Sequence, residues 1–350
     1  MAAGIRHRAR LLHCFVAASA FVACGCSVPG TALQSTPEVV LWSVGTALHQ
    51  PVWSYHMHAL VALTDDHRLA EVTTGAHHQD AKTRLSAPMA VGRNLQIGQK
   101  DDRYVFVPQP ERGKVALVDL ETLCQTADFD AGPAPAYLSE DAGMRILLVL
   151  SSDGRSVTPV DQYGLRKLAT ASVPGDAADS VDGANRGRGI DYHLYGSSGI
   201  RYYRGSSSPP QERGALRMDV AAWAGDGTAV ARSYVAGHDS DMLYAVGSRR
   251  GGQGLQVLAS ARLPSPIRDL ATDDTRIYAV TDKEVVVFES DSFTGFAHRT
   301  IPALSVIPYR SGLPAAAGAA RLSGLAVGPH RIFLTLADSP YVVSIAKPRL

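Results

Sequence analysis

Cysteine is scarce in this chain, with four among 350 residues, and its placement excludes a disulfide framework. Cys14, Cys24 and Cys26 lie at the amino terminus and only Cys124 falls in the body, so no pair is left to staple a domain. An excess of one charge is lacking too. Lys and Arg number 34 against 33 Asp and Glu, which argues against a nucleic-acid partner or a polybasic membrane patch. The amino-terminal apolar run, Leu11 to Ala23, has 13 residues, short of the ~20 that a membrane-spanning helix needs. Catalytic signatures are missing as well. No H-E-x-x-H, Walker-A or G-x-G-x-x-G stands at a strand-to-helix junction, and Gly196-Ser197-Ser198-Gly199 lacks the G-x-S-x-G spacing of a nucleophile elbow. Tryptophan is limited to Trp42, Trp53 and Trp223, too few to argue for stacking on a quinone.

What is present is a folded, exported chain. Hydrophobic residues make up 45 % and charged residues 19 %, enough for a core and without the charge excess of a disordered chain. Residues 1–10 carry Arg6, Arg8 and Arg10 and no acid, and Leu11 to Ala23 follows as the apolar segment of a secretory signal. Small residues then lead into Cys24-Gly25-Cys26. Here the chain resembles bacterial lipoproteins, and its Ala-, Arg- and Gly-rich usage points to an actinobacterial kind of source. In that family the cysteine thiol receives diacylglycerol and becomes the mature amino terminus. Cys24, preceded by Phe21-Val22-Ala23, is the expected lipidation position, with Cys26 as the alternative. A plain signal cleaved near Ala18 to Ala20, with no lipid, is the competing reading. The expected organisation is a signal peptide over 1–23, a flexible tether over 24–37 and one domain over 38–350, lipid-anchored on the extracytoplasmic face of the cell membrane. Segment 27–37 supports the tether, having two prolines and no charge.

The body reads as a repeat, which takes precedence over any motif. Seven β-rich runs recur: His58 to Leu63, Tyr104 to Val107, Ile146 to Leu150, Ile190 to Tyr195, Met242 to Val246, Ile277 to Val280 and Ile332 to Leu336. Their mean spacing, about 45 residues, matches one four-stranded propeller blade. The expectation is an all-β chain, a β-propeller of seven four-stranded blades, with eight allowed by the long gaps from Ile190 to Met242 and from Ile277 to Ile332. Val39 to Val44 is a spare strand that pairs with Tyr341 to Ile345, closing the ring by its two ends and leaving no long exposed edge. Tyr104-Val105, Val115 to Asp119 and Gly132-Pro133-Ala134-Pro135 are similar to the YVTN-type propeller repeat. Asp153-Gly154 and Val157 to Asp161 repeat that pattern in the next unit, and later units follow it less closely.

Candidate chemistry is sparse. Histidines concentrate between His49 and His78, and His56 and His58 placed on one strand face would offer two imidazoles to a zinc ion. His77 or His78 would then be a third ligand and Asp80 a supporting partner. Solvated histidines are the plainer reading. Tyr192, Tyr195, Tyr202 and Tyr203 beside Arg201 and Arg204 form a candidate patch for an envelope protein or a glycan, against simple strand packing. Asp65-Asp66, Asp101-Asp102 and Asp273-Asp274 read as turn formers, and Asp239-Ser240-Asp241 is too sparse for a calcium loop. Cys124 reads as a partly buried, inert thiol. Leu313 to Leu322 accommodates one short helix. The leading function is a non-catalytic, lipid-anchored binding or scaffold module, followed by a zinc-binding or carrier propeller. An enzyme of lactonase or quinoprotein kind comes third, by analogy of fold alone.

Overall fold

The computed structural model describes residues 38–74, 81–228, 231–249, 254–290 and 295–349. The chain enters through β1 (Val39–Ser43) and then winds through successive antiparallel sheets. The first blade holds β2 (Leu48–Ser54), β3 (Ala59–Thr64), β4 (Leu69–Thr74) and β5 (Ala81–Leu85). The second holds β6 (Gln96–Ile97), β7 (Tyr104–Gln109), β8 (Lys114–Asp119) and β9 (Cys124–Asp130). In the third, β10 (Pro135–Asp141), β11 (Ile146–Ser151) and β12 (Ser156–Asp161) are flanked by a broken outer strand, whose halves β13 (Arg166–Lys167) and β14 (Ala171–Ser172) both pair with β12. The fourth blade is β15 (Ser180–Gly183), β16 (Ile190–Gly196), β17 (Gly199–Gly205) and β18 (Gln211–Leu216). The fifth is β19 (Ala222–Gly225), β20 (Ser233–Ala236), β21 (Met242–Ser248) and β22 (Leu255–Arg262). The sixth is β23 (Ile267–Thr272), β24 (Arg276–Thr281), β25 (Val285–Glu289) and β26 (Ala303–Ile307). The short helix α1 (Ala315–Ala319) precedes the last blade, β27 (Leu322–Val327), β28 (Arg331–Leu336) and β29 (Tyr341–Ala346), which β1 completes.

The result is a seven-bladed β-propeller closed as expected, with Val39 opposite Ile345 and Ser43 opposite Tyr341. Six of the seven β-rich runs are second strands of their blades. The fifth is corrected: Met242 to Val246 belongs to the third strand, and the second is the four-residue β20. With Ser233 in its place, second strands start 42 to 45 residues apart through the sixth blade, and only the last step, lengthened by α1, reaches 55. The long gap after Ile190 was therefore a misplaced anchor and not room for an eighth blade.

Second strands are buried on both faces because each blade packs against two neighbours; β3, β11 and β16 have no exposed position. Seven apolar clusters fill the seven interfaces between consecutive blades. At ~1.5–3 kcal/mol for each fully buried large aliphatic or aromatic side chain, these interfaces hold the ring together. At the closure, Trp42 of β1 meets Phe333 at 5.2 Å between centroids, while Trp53 of the first blade stacks on the other side at 4.9 Å. Between β7 and β8 the chain turns at Gly113, whose φ of 63° is readily adopted without a side chain.

Candidate functional site

Alternation of strand direction divides the connections between two faces. Turns from first to second and from third to fourth strands open on one face; the remaining connections open on the other. The innermost strands β2, β6, β10, β15, β19, β23 and β27 surround a central cavity of about 450 Å³. Its wall carries Tyr137, Ser139, Asp182, Trp223 and Asp269 from four neighbouring blades.

The two aspartates of this wall are half-buried and poorly matched. The Ser139 hydroxyl donates to Asp182 Oδ1 at 3.4 Å, whereas Asp182 Oδ2 is buried with no side-chain donor. That oxygen lies against the Gly225 backbone so closely that a Cβ there would come within 2.3 Å of it. Burial pushes the Asp182 carboxyl up to about 6, against the partial opposing pull of Ser139 and the Gly225 backbone. Asp269 accepts the Leu270 N–H at 2.8 Å, and burial pushes it up to about 7. Neither has an ion-pair partner among the described residues. Tyr137 is raised by burial and then by both carboxylates, which places it within reach of their fields. Trp223 stacks on Tyr195 at 5.5 Å and stands 6.4 Å from Tyr137. Two arginines approach, but both are engaged. Arg93 lies over the Tyr137 ring at 5.7 Å and donates to the Asp179 carbonyl, while Arg268 bridges Asp239 at 2.6 Å and Asp282 at 2.8 Å.

The other mouth is a wider cavity of about 660 Å³, bordered by Tyr55, Asn185, Arg186, Asp273 and Asp274. Burial acts to raise Asp273, but hydrogen bonds from Tyr278 and Lys347 outweigh it and hold the carboxyl below its ordinary range. On this face Tyr55 in the β2–β3 turn and Tyr163 in the β12–β13 turn are each 58 % exposed, with Met144 of the β10–β11 turn also exposed. Lys100 and Arg145 sit 5.4 and 5.3 Å from the centre of the Tyr163 ring.

His56 and His58 do not share a strand face. They occupy the β2–β3 turn, where the backbone reverses and His58 takes a φ of 48°, so the i, i+2 geometry is lost. His56 Nε2 is 3.9 Å from Glu121, and its backbone N–H donates to Asp102. His49 pairs with Asp65 at 3.8 Å, and both it and His67 lie toward the opposite face. His77, His78 and Asp80 lie outside the described residues, as do Cys24 and Cys26. Among the described residues no three His, Cys, Asp or Glu side chains are grouped to hold a metal.

The Tyr/Arg patch is corrected by burial. Tyr192 and Tyr203 face the third blade, stacked at 5.0 Å, while Tyr195 and Tyr202 face the fifth. All four rings are interior and cannot meet a partner. Arg201 is spent on the Pro174 and Asp176 carbonyls, and Arg204 lies 3.3 Å from Asp191. Between these tyrosines His193 is buried, which pulls its pKa down to about 4 and leaves it neutral. Cys124 is exposed, not partly buried. Asp101 and Asp273 accept nearby backbone N–H groups as turn formers do, and Asp239 and Asp241 pair with Arg268 and Arg262. Asp182 and Asp269 were missed because each is the single acid of its own first strand. Their relation exists only once first strands are aligned around the ring.

No family model and no curated protein matches the chain. Solved structures do. A chain from a crystal structure of the mitotic checkpoint complex is 12 % identical, with a TM-score of 0.67 over 98 % of this chain and all of that one. The structure of U3-55K is also 12 % identical, with a TM-score of 0.64 over 89 % of this chain and 98 % of that one. The RRP9 WD40 repeats give 12 % identity and a TM-score of 0.63, over 89 % and 99 %. This chain shares its fold with WD40 propellers. At such identity the likeness concerns the backbone, and function has to be argued from this chain's own residues.

Proposed function

We propose that the chain is a lipid-anchored, extracytoplasmic binding module that docks another envelope protein on the face bearing Tyr55 and Tyr163. The observation that carries this reading is the exposure of these two rings on one face of a fold otherwise diligent in burying its tyrosines. Exposed aromatic rings are favoured interface material, and at Tyr163 two cations lie against the ring; propellers commonly serve as scaffolds, one structural neighbour coming from a mitotic checkpoint complex. The anchor rests on the export segment and on Cys24, with Cys26 as its alternative. The similarity of the second and third blades to YVTN-type repeats accords with a bacterial envelope protein. Strand β1 starts at the docking face, where Glu38 pairs with Arg331 at 2.9 Å. A tether over 24–37 reaches at most ~50 Å when fully extended, so a partner met on this face is itself near the membrane.

Intact-mass measurement of detergent-extracted protein tests the anchor, with diacylglyceryl mass on a chain beginning at Cys24 as the expected result. An unmodified amino terminus would remove the lipid from the reading. A photo-crosslinking residue at Tyr55 or Tyr163 in cells is expected to give a discrete adduct, and the same residue at Asp65, on the opposite face, none. Equal labelling at all three positions rejects the docking face.

A further inference from the structure

We propose that the central cavity binds an organic cation, an ammonium or guanidinium group, between Asp182 and Asp269 and against the rings of Tyr137 and Trp223. This goes beyond the docking face and does not depend on it, since the cavity opens toward the other side of the ring.

Three observations converge. First, two carboxylates line one cavity and neither forms an ion pair among the described residues, a costly arrangement unless something supplies a paired cation. The two nearest arginines do not, because Arg268 is held by Asp239 and Asp282, and Arg93 by the Asp179 carbonyl and the Tyr137 ring. Second, Asp182 Oδ1 has one long hydroxyl contact and Oδ2 is packed against the Gly225 backbone of the fifth blade, so the carboxylate is fixed at the wall with no ion-pair partner among the described residues. Third, the acids come from the fourth and sixth blades, and the fifth places Trp223 beside them, with Tyr137 near both. Aromatic faces attract a weakly hydrated cation and are poor company for Ca²⁺, which asks for ~6–8 oxygen ligands. A flat guanidinium or an alkylammonium can meet carboxylate oxygens at its edge and a ring on its face.

Protonation should control the site. Its titratable or charged groups are Asp182, Asp269, Tyr137, Arg93 and Arg268; the other first strands and the segment before β6 contribute Gln50, Asn94, Gln96, Ser139 and Ser323, which do not titrate. Burial holds the two acids at about 6 and about 7 in the empty cavity. A bound cation favours their ionised form, so binding strengthens as pH rises through that range and releases protons.

The test is titration calorimetry on the full chain in detergent. Two probes distinguish the source of the cation: agmatine as a free small molecule, and an end-capped tripeptide with a central arginine as a side chain of a larger partner. At least one is expected to bind at about pH 8 and to weaken by roughly tenfold or more near pH 5. Binding of the tripeptide alone assigns a side chain, and of agmatine alone a free ligand. The matching citrulline tripeptide should not bind. Asp182→Asn and Asp269→Asn, each checked for a cooperative melt, should weaken the probe on the order of tenfold; either variant suffices if the other fails to fold. Absence of binding by both probes, binding indifferent to both substitutions, or uptake of CaCl2 in place of the probes would overturn the proposal.

Discussion

Two settings of interior aspartates contrast here, the rim of the second blade and the central cavity. Asp119, which ends β8, is 3 % exposed and accepts Arg103 through Nε at 2.8 Å and Nη2 at 2.5 Å, with the Thr122 N–H on its other oxygen. Burial would raise this carboxyl, but Arg103 and the turn amides overcome it and bring it below its ordinary value. Asp269 has one backbone amide, Asp182 has one long hydroxyl contact and the Gly225 backbone, and in both burial prevails. The rim provides a buried carboxylate with its cation from the same blade, and the turn is fixed as a result. The cavity provides space and aromatic surface, and its two arginines are engaged elsewhere, which are features of a site more than of a staple.

The largest effect expected from this contrast is at the rim. Asp119→Ala removes both the Arg103 pair and the cap on the Thr122 turn. It should lower unfolding free energy by about 2 kcal/mol, a figure already discounted because Arg103 is 38 % exposed. Denaturant titration measures it. A loss no larger than that of a random surface substitution would mean that Asp119 and the cavity acids are not different in kind. Opposite in sign, and smaller at each site, is the effect of Asp182→Asn with Asp269→Asn. Replacing a carboxylate that lacks a counter-charge should stabilise the empty protein near pH 8 by on the order of 1 kcal/mol per site, seen as a melting midpoint higher by a few degrees. A lower midpoint would make these acids structural.

Much of the fold was legible because blade geometry forces a pattern on the sequence. A second strand buried on both sides is mostly apolar, as in Ile146 to Leu150, and closure required a spare strand, found at Val39 to Val44. The one misplaced anchor arose where β20 is only four residues long and the third strand looks stronger. The tyrosines of β16 and β17 were misread because alternation ordinarily separates an inner from an outer face. In a central blade strand both directions lead into a core, so Tyr192 and Tyr195 are equally interior. His56 and His58 were misread by extending a strand through a turn. The cavity acids left no local trace at all: a lone acid in Ser180–Gly183 or Ile267–Thr272 resembles any turn-flanking residue until seven inner strands face one another.

The finest separation between the two settings lies in pH dependence, where their signs are opposite. A depressed carboxyl such as Asp119 contributes stability that is complete above its unfolded value near 4 and is lost as pH falls through its folded value. Raised carboxyls behave inversely. For Asp182 and Asp269 the folded state holds the proton more tightly, so their contribution is complete below about pH 4 and is lost as pH rises toward about 6 and about 7. Stability of the unliganded chain measured from pH 4 to 8 should therefore carry a downward component that is absent from the doubly substituted Asn protein. The two proteins should converge near pH 4 and separate by pH 8. Adding agmatine or the arginine tripeptide at pH 8 should then close that gap from the unsubstituted side, because a ligand that binds only the folded state stabilises it by mass action. A gap that stays open when the probe is present would leave the cavity acids as an unrelieved cost of the fold, and the rim and the cavity would differ in degree alone.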